Sequence, residues 1–316
     1  MANKITLRPT SPLVSSLLLF GIFLSILIIY NISSVKKENP SRSPFRAIRN
    51  GLQDILNADP EDGKKEGATE SKIQQQDHCI LNRKFMPKGS MPLILLLSFP
   101  GSGNTWVRYL LERSSGIYTG SVFNDVGTGN DDNAIFRASE VCSKTTLVVK
   151  AHSLNVKKCH IDGAIILVRN PYSAILAEFN RQSSDKTSNA PISAFQSKAW
   201  KKFAIEASSN WSRKIGTQLE KIPNRMILYY ENLVQDTNLE VHRMLEFLKV
   251  TPDENRIRCL FENVTGSFKR KHRKRDFNPY SSEMNDTIDS EILKLRKIMK
   301  EYGYILPPYE SYMTLK

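Results

Sequence analysis

Two short stretches carry the residue types that chemistry needs. The first is Phe99-Pro100-Gly101-Ser102-Gly103-Asn104-Thr105-Trp106. It follows an unbroken apolar run, Leu93 to Ser98, long enough for a buried parallel strand. A helical pattern comes next, with Trp106, Leu110 and Leu111 on one face and Gly116 as its stop. Strand, glycine loop and helix aim backbone N–H groups and a helix N-terminus at one point, an arrangement that suits a phosphate or sulfate. Gly101 and Gly103 permit close backbone approach, and Ser102, Asn104 and Thr105 add side-chain donors. The loop lacks the spacing and lysine of G-x-x-x-x-G-K-[ST], and it completes only part of G-x-G-x-x-G.

The second stretch is Val148-Val149-Lys150-Ala151-His152. Lys150 and His152, two residues apart, project to the same side of an extended chain. An imidazole there is a candidate general base, because histidine titrates near neutral pH. Three more groups follow other apolar runs. Arg169 precedes Asn170 and Pro171, a helix-starting pair, and a guanidinium at a strand end suits a phosphate. Tyr230, in Tyr229-Tyr230-Glu231-Asn232, offers an aromatic face to a nucleobase. From Lys269 to Arg275, six of seven residues are Lys or Arg and the seventh is His272. That run reads as an anion clamp or as a solvated loop.

Strand-length apolar runs at 93–98, 146–149, 164–168 and 226–229 must position these groups. Between and after them the spacing predicts helices over 104–115, 171–182, 192–220, 237–249 and 288–302. Strands separated by helices, without tight hairpin signals, imply an α/β domain. The expected fold is a P-loop-like three-layer α/β/α domain with a central parallel sheet. Ligands of such sheets sit beyond the carboxyl ends of the strands. Trp200 and Trp211 could stack on a sugar ring, but their helical stretch also holds Phe195 and Phe203, and core packing is preferred.

The chain has 316 residues and a net charge of +13, which favours anionic partners. Residues 1–12 read as a cytoplasmic tail. Residues 13–30, LVSSLLLFGIFLSILIIY, carry no charge and span most of a bilayer core. A signal peptide competes with a transmembrane signal-anchor. The anchor is preferred, because the segment exceeds a usual h-region and lacks a small-x-small cleavage site. It argues against nuclear and nucleic-acid readings of the basic run. Residues 31–90, with Pro40, Pro44, Pro60 and charged low-complexity tracts, read as a stem or linker, and the folded domain is expected over 91–316. The cysteines, Cys79, Cys142, Cys159 and Cys259, form no C-x-x-C pair and allow three disulfide pairings. No Asp/Glu/His cluster suggests a metal. Among four N-x-[ST] sequons, Asn263 and Asn285 are the better acceptors.

The order of these pieces resembles the sulfotransferase family: F-P-G-S-G-N-T-W, V-V-K-A-H, L-V-R-N-P-Y, L-Y-Y-E-N-L and a basic G-S-F-K-R loop. The wording is most similar to the sulfotransferase domain of WSC-domain-containing sulfotransferases, without their cysteine-rich WSC modules. The resemblance implies 3′-phosphoadenosine 5′-phosphosulfate (PAPS) as co-substrate, no metal, and a glycan or glycoprotein acceptor, with sialic acid among the candidates. It implies a single-pass type II Golgi membrane protein with a lumenal catalytic domain. Gly101 to Thr105 then match the 5′-phosphosulfate loop, and Trp106 and Tyr230 match the adenine side. His152 matches the catalytic base, Arg169 the 3′-phosphate arginine, and Lys269 and Arg270 the closing basic loop. Two positions depart. Gly101 stands where many family members carry a lysine that stabilises the leaving oxygen, leaving Lys150 as the substitute. Ala177, followed by Glu178, stands in place of a serine. The missing lysine keeps open a non-catalytic PAP- or glycan-binding homologue. A P-loop kinase fits worse, lacking both the Walker lysine and Mg²⁺-binding carboxylates.

Overall fold

The structure is a computed structural model that describes Cys79 and residues 82–123, 136–137, 140–156, 159–183, 190–266 and 277–310. The expected anchor at 13–30, most of the stem, and Lys269 and Arg270 lie outside these residues. No described helix is long and apolar enough to cross a membrane.

Five parallel strands form one sheet: β1 (Ile94–Ser98), β2 (Gly120–Ser121), β3 (Val149–Ala151), β4 (Gly163–Val168) and β5 (Arg225–Tyr229). Their spatial order is β2-β3-β1-β4-β5. β1 therefore lies at the centre, pairing with β3 through Leu96↔Lys150 and with β4 through Leu96↔Ile165. Every β1 residue is buried, as expected for a parallel strand covered on both faces. The chain leaves β3 and crosses β1 to start β4, so the switch point falls at the carboxyl end of β1.

Eight α-helices cover the sheet among the described residues. They are α1 (Asn104–Ser115), α2 (Pro171–Ser183), α3 (Ile192–Phe195), α4 (Lys198–Lys221), α5 (Tyr230–Gln235), α6 (Thr237–Phe247), α7 (Glu254–Glu262) and α8 (Ser282–Glu301). One core joins the Leu95, Leu97, Ile166 and Val168 side of the sheet to α2, α4 and α8, with Trp200 and Trp211 inside it. The other joins the Leu96, Ile165 and Leu167 side to α1, α6 and α7. The result is the expected three-layer arrangement. Both tryptophans are buried, as preferred: Trp200 donates to the Pro279 carbonyl at 2.6 Å and Trp211 to the Arg169 carbonyl at 3.1 Å.

Several boundaries differ from the sequence reading. The third strand begins at Val149 rather than Thr146, so Lys150 lies within β3 and His152 just after it. The expected helix over 192–220 is two, because Ser197 caps α4 by accepting from the Trp200 N–H. α8 starts at Ser282, where Ser281 is the cap, rather than at 288. β2, α5 and α7 were not expected. The folded domain also begins before Met91. Lys84 bridges Ile117 in parallel, Arg83 pairs with Glu112 at 2.7 Å, and Cys79 is bonded to Cys259. Cys142 pairs with Cys159, which completes the disulfide connectivity that spacing left open.

Truncating Trp211, wholly buried between the sheet and Tyr309, removes about 3–5 kcal/mol of stability. Urea unfolding of Trp211→Ala against the parent chain measures that loss.

Candidate functional site

The loop after β1 is shaped by two left-handed glycines. Gly101 has φ +79° and Gly103 has φ +96°, conformations that glycine alone adopts freely. Gly103 is the N-cap of α1. It also leaves room for Tyr230, because a Cβ there would lie 2.6 Å from the tyrosine Cε2. Among the described residues, the backbone N–H groups of Gly103, Asn104 and Thr105 have no hydrogen-bond partner. Ser102 is 1% exposed, yet its Oγ also lacks a partner. Buried polar groups without partners are rare. Here they converge on one helix N-terminus, where an acceptor-rich anion satisfies them together. Asn104 contributes differently from the expectation. Its side-chain amide turns inward, donating to the Leu96 carbonyl and the Ser98 hydroxyl, both at 3.1 Å. Only its backbone N–H faces the loop.

His152 is fixed from the same strand end. Its Nδ1 lies 2.9 Å from the Ser98 carbonyl oxygen. A carbonyl can only accept, so Nδ1 carries the proton and Nε2 keeps its lone pair. Burial lowers the His152 pKa below the ordinary value. The Ser98 carbonyl opposes this, Lys150 and Lys214 reinforce it, and Glu178 opposes it. The ring is therefore neutral at neutral pH, with Nε2 ready to take a proton.

Lys150 and His152 meet at one aromatic ring. The Lys150 ammonium lies 5.5 Å and the His152 ring 5.2 Å from the centre of Phe123. Phe123 reaches this place because β2 is held to α1. Buried Glu112 accepts from both the N–H and the hydroxyl of Thr119, at 2.8 and 2.7 Å, immediately before β2. The pair therefore projects together, as its spacing predicted.

Arg169 donates to the Gly101 carbonyl at 2.7 Å, and its guanidinium lies 4.2 Å from the centre of the Tyr230 ring. It braces the glycine loop while its Nε remains without a partner. Trp106 meets Tyr230 edge-on at 6.0 Å and donates its indole N–H to the Val264 carbonyl at 2.8 Å. Gly101–Trp106, Lys150, His152, Arg169 and Tyr230 thus gather at the carboxyl ends of β1, β3, β4 and β5. Lys269 and Arg270, outside the described residues, follow in sequence from Gly266, which ends the segment carrying Val264.

This constellation coincides with a family. The sulfotransferase domain matches residues 92–299. The chain belongs to the sulfotransferase domain family. Among its relatives, WSCD family member GA21586 of Drosophila pseudoobscura pseudoobscura is 36% identical over 211 residues, covering 64% of this chain and 65% of that protein. WSCD family member CG9164 of Drosophila melanogaster is 36% identical over 225 residues, covering 68% and 67%. The chain thus spans just under two thirds of the first relative's length. A crystal structure of mouse sulfotransferase SULT7A1 complexed with PAP aligns with 15% identity and a TM-score of 0.41, over 69% of this chain and 90% of that one.

The departure at Gly101 fits the packing around the loop. A Cβ at Gly101 would press into the Ala174 carbonyl oxygen and lie 2.9 Å from the Glu178 nitrogen. The loop is packed against the α2 backbone, and no side chain fits. One ring neighbour of His152, Phe123, was not singled out as a site residue by the sequence, nor was Glu178, whose charge acts on the imidazole. Glu178 is noticeable as a charge in a helix that is otherwise apolar on that side. Phe123 carries no local signal, since only the fold brings it to His152.

Gly101→Lys therefore fails to supply the absent lysine. It loses stability beyond the roughly 1–2 kcal/mol cost of a left-handed side chain alone. Gly89→Ala is the control, because Gly89 has the same φ of +79° with open space around it. Equal shifts of the melting temperature in the two variants would contradict the packing argument.

Proposed function

We propose that this protein is a PAPS-dependent sulfotransferase of the Golgi membrane, moving a sulfuryl group to a hydroxyl of a glycan or glycoprotein, with sialic acid among the candidate acceptors. The observation that carries the catalytic reading is the His152 tautomer: Nδ1–H bound to the Ser98 carbonyl, Nε2 free, beside a loop of unpartnered N–H groups. Family membership supports the donor. Four cysteines in two disulfides fit an oxidising lumen, and the apolar 13–30 segment supports a type II anchor. The net positive charge suits an anionic acceptor.

In this reading the N–H groups of Gly103, Asn104 and Thr105, with Ser102 Oγ, hold the 5′-phosphosulfate. Trp106 and Tyr230 flank the adenine, and Arg169, Lys269 and Arg270 meet the 3′-phosphate. When bound, PAPS supplies an activated sulfuryl group. His152 Nε2 takes the proton from the acceptor hydroxyl as its oxygen bonds to sulfur. The sulfur–oxygen bond to the phosphate breaks on the opposite side, and the bridging oxygen leaves with PAP. Lys150 and the loop donors stabilise charge on the sulfuryl and leaving oxygens.

Replacing His152 with Ala lowers turnover by about two to four orders of magnitude while PAP binding, measured calorimetrically, persists. The assay is transfer of label from PAPS to sialylated and neutral glycans. PAP binding by the parent chain with no transfer to any glycan would favour the non-catalytic homologue, a reading that the lysine-free loop supports.

The pH dependence has a definite sign. A base must be neutral to act, so the rate falls as pH drops through the His152 pKa. That pKa is lowered, which places the acid limb below the ordinary histidine value of 6.5. Lys150→Ala removes one of the charges that lower it and moves the limb to higher pH. A limb that stays put or moves lower in that variant contradicts the electrostatic link.

A further inference from the structure

Beyond α8 the chain returns to the carboxyl ends of β4 and β5, where Arg169 and Tyr230 stand. This strap, residues 303–310, is tied down at several points. The Tyr229 hydroxyl donates to the Ile305 carbonyl at 2.7 Å. Arg296 of α8 pairs with Glu310, its Nη2 lying 2.6 Å from Oε2. Tyr309 is the buried centre of the strap, 2% exposed, and its ring meets that of Trp211 edge-on at 6.4 Å. Its carbonyl accepts from Asn170 Nδ2 at 3.4 Å.

The Tyr309 hydroxyl donates to Glu231 Oε2 at 2.9 Å, and Oε1 of the same carboxylate accepts the Asn170 N–H at 3.0 Å. Asn170 follows Arg169 in the chain, and Glu231 follows Tyr230. One carboxylate therefore joins the two residues beside a pair whose side chains meet, the guanidinium 4.2 Å from the centre of the ring. Trp211 adds a second restraint by donating to the Arg169 carbonyl at 3.1 Å. Tyr309 thus touches both groups that fix the backbone around Arg169. Burial and the neighbouring carboxylate push the Tyr309 pKa up, so the hydroxyl keeps its proton and remains the donor. A guanidinium grips a phosphate through a planar fork, and small displacements of such a group are costly.

We propose that Tyr309 is a positioning residue for the donor nucleotide: through Glu231 and Trp211 it sets the Arg169–Tyr230 pair, which makes the strap after α8 part of the nucleotide site. This rests on the donor reading above, in which Arg169 meets the 3′-phosphate and Tyr230 flanks the adenine. Tyr309 itself touches neither nucleotide nor acceptor, and no bond to it forms or breaks. Its effect passes through one carboxylate and one indole ring to the backbone that carries the guanidinium.

PAP and adenosine 5′-monophosphate share the adenine and the 5′-phosphate and differ by the 3′-phosphate alone, so the ratio of their affinities reads the Arg169 contact. Both are titrated calorimetrically into the full-length parent chain, Tyr309→Phe, Ile292→Val and Arg169→Met. Phenylalanine keeps the ring against Trp211 and removes only the hydroxyl. Ile292→Val is the control for lost stability, because Ile292 is buried in the same core and has no part in the Glu231 link. In Tyr309→Phe the preference for PAP falls about three- to tenfold, a part of what a lost charge-assisted hydrogen bond costs. Ile292→Val keeps the parent preference. A Tyr309→Phe ratio equal to the parent's overturns the proposal, as does an equal fall in Ile292→Val. If Tyr309→Phe does not fold, Glu231→Gln takes its place: it keeps an acceptor for the Asn170 N–H, loses the charge that Tyr309 engages, and has the same expected fall, an unchanged ratio again overturning the proposal. A parent chain that binds the two nucleotides equally, or an Arg169→Met variant with the parent ratio, instead removes the donor reading on which the proposal stands.

Discussion

The site depends on how closely the loop after β1 packs against α2. Gly101 lies against the Ala174 carbonyl and the Glu178 nitrogen with no space for a Cβ. That contact brings the α2 backbone to the carboxyl end of the central strand. It fixes the loop's left-handed turn and excludes any side chain where many sulfotransferases place a cation. Positive charge must then arrive from elsewhere in the fold. Arg169 comes from the end of β4 and Lys150 from β3. A small residue at one position thereby redistributes the electrostatics of the whole site.

Ser98 is the second fixed point. It ends β1, is 1% exposed, and has neighbours on both sides. Its carbonyl orients His152, and its hydroxyl accepts from Asn104. His152 and the first residue of the loop helix are therefore positioned by one strand terminus. Because β1 is the central strand, that terminus is held by β3 on one edge and β4 on the other. Imidazole orientation and helix N-terminus are set together, the first through the Ser98 carbonyl and the second through its hydroxyl.

Much of this was legible in the sequence because it is local. Apolar runs bounded by glycine and proline located β1, β4 and β5, and the helix following the loop matched its expected bounds over 104–115. Where expectation and structure part, the determinant is non-local or subtle. β2 is only Gly120–Ser121, with no apolar run to betray it, and it exists because Glu112 anchors Thr119 beside β3. Thr146 to Val148 extend the apolar run, and Leu147 and Val148 already bond to Tyr118 and Gly120, but the ladder partners on β1 and β2 begin at Val149. The inward turn of the Asn104 amide follows from the position of Ser98 Oγ. The Gly101 contact with α2 joins residues more than seventy positions apart, and no spacing rule reports it.

The two cores divide the labour of the site. Trp106 and Tyr230 pack on the core formed with α1, α6 and α7. That side is tied further by Tyr109 donating to the Asn263 carbonyl at 2.7 Å, Trp106 to Val264, and the Cys79–Cys259 bond into α7. Glu178 and Lys214 belong to α2 and α4 on the opposite face, and His152 and Phe123 stand at the edge where β2 and β3 end. Under the proposed reaction the donor nucleotide would rest on the disulfide-braced face, while the acceptor would enter past Phe123. The donor side is held by a covalent link and backbone hydrogen bonds, so substitutions there disturb α1 and the loop together. Phe123, 44% exposed, holds no comparable structure in place. Its ring nevertheless packs on His152 and Lys150, while Ser98 and the glycine loop are held by contacts that do not involve it.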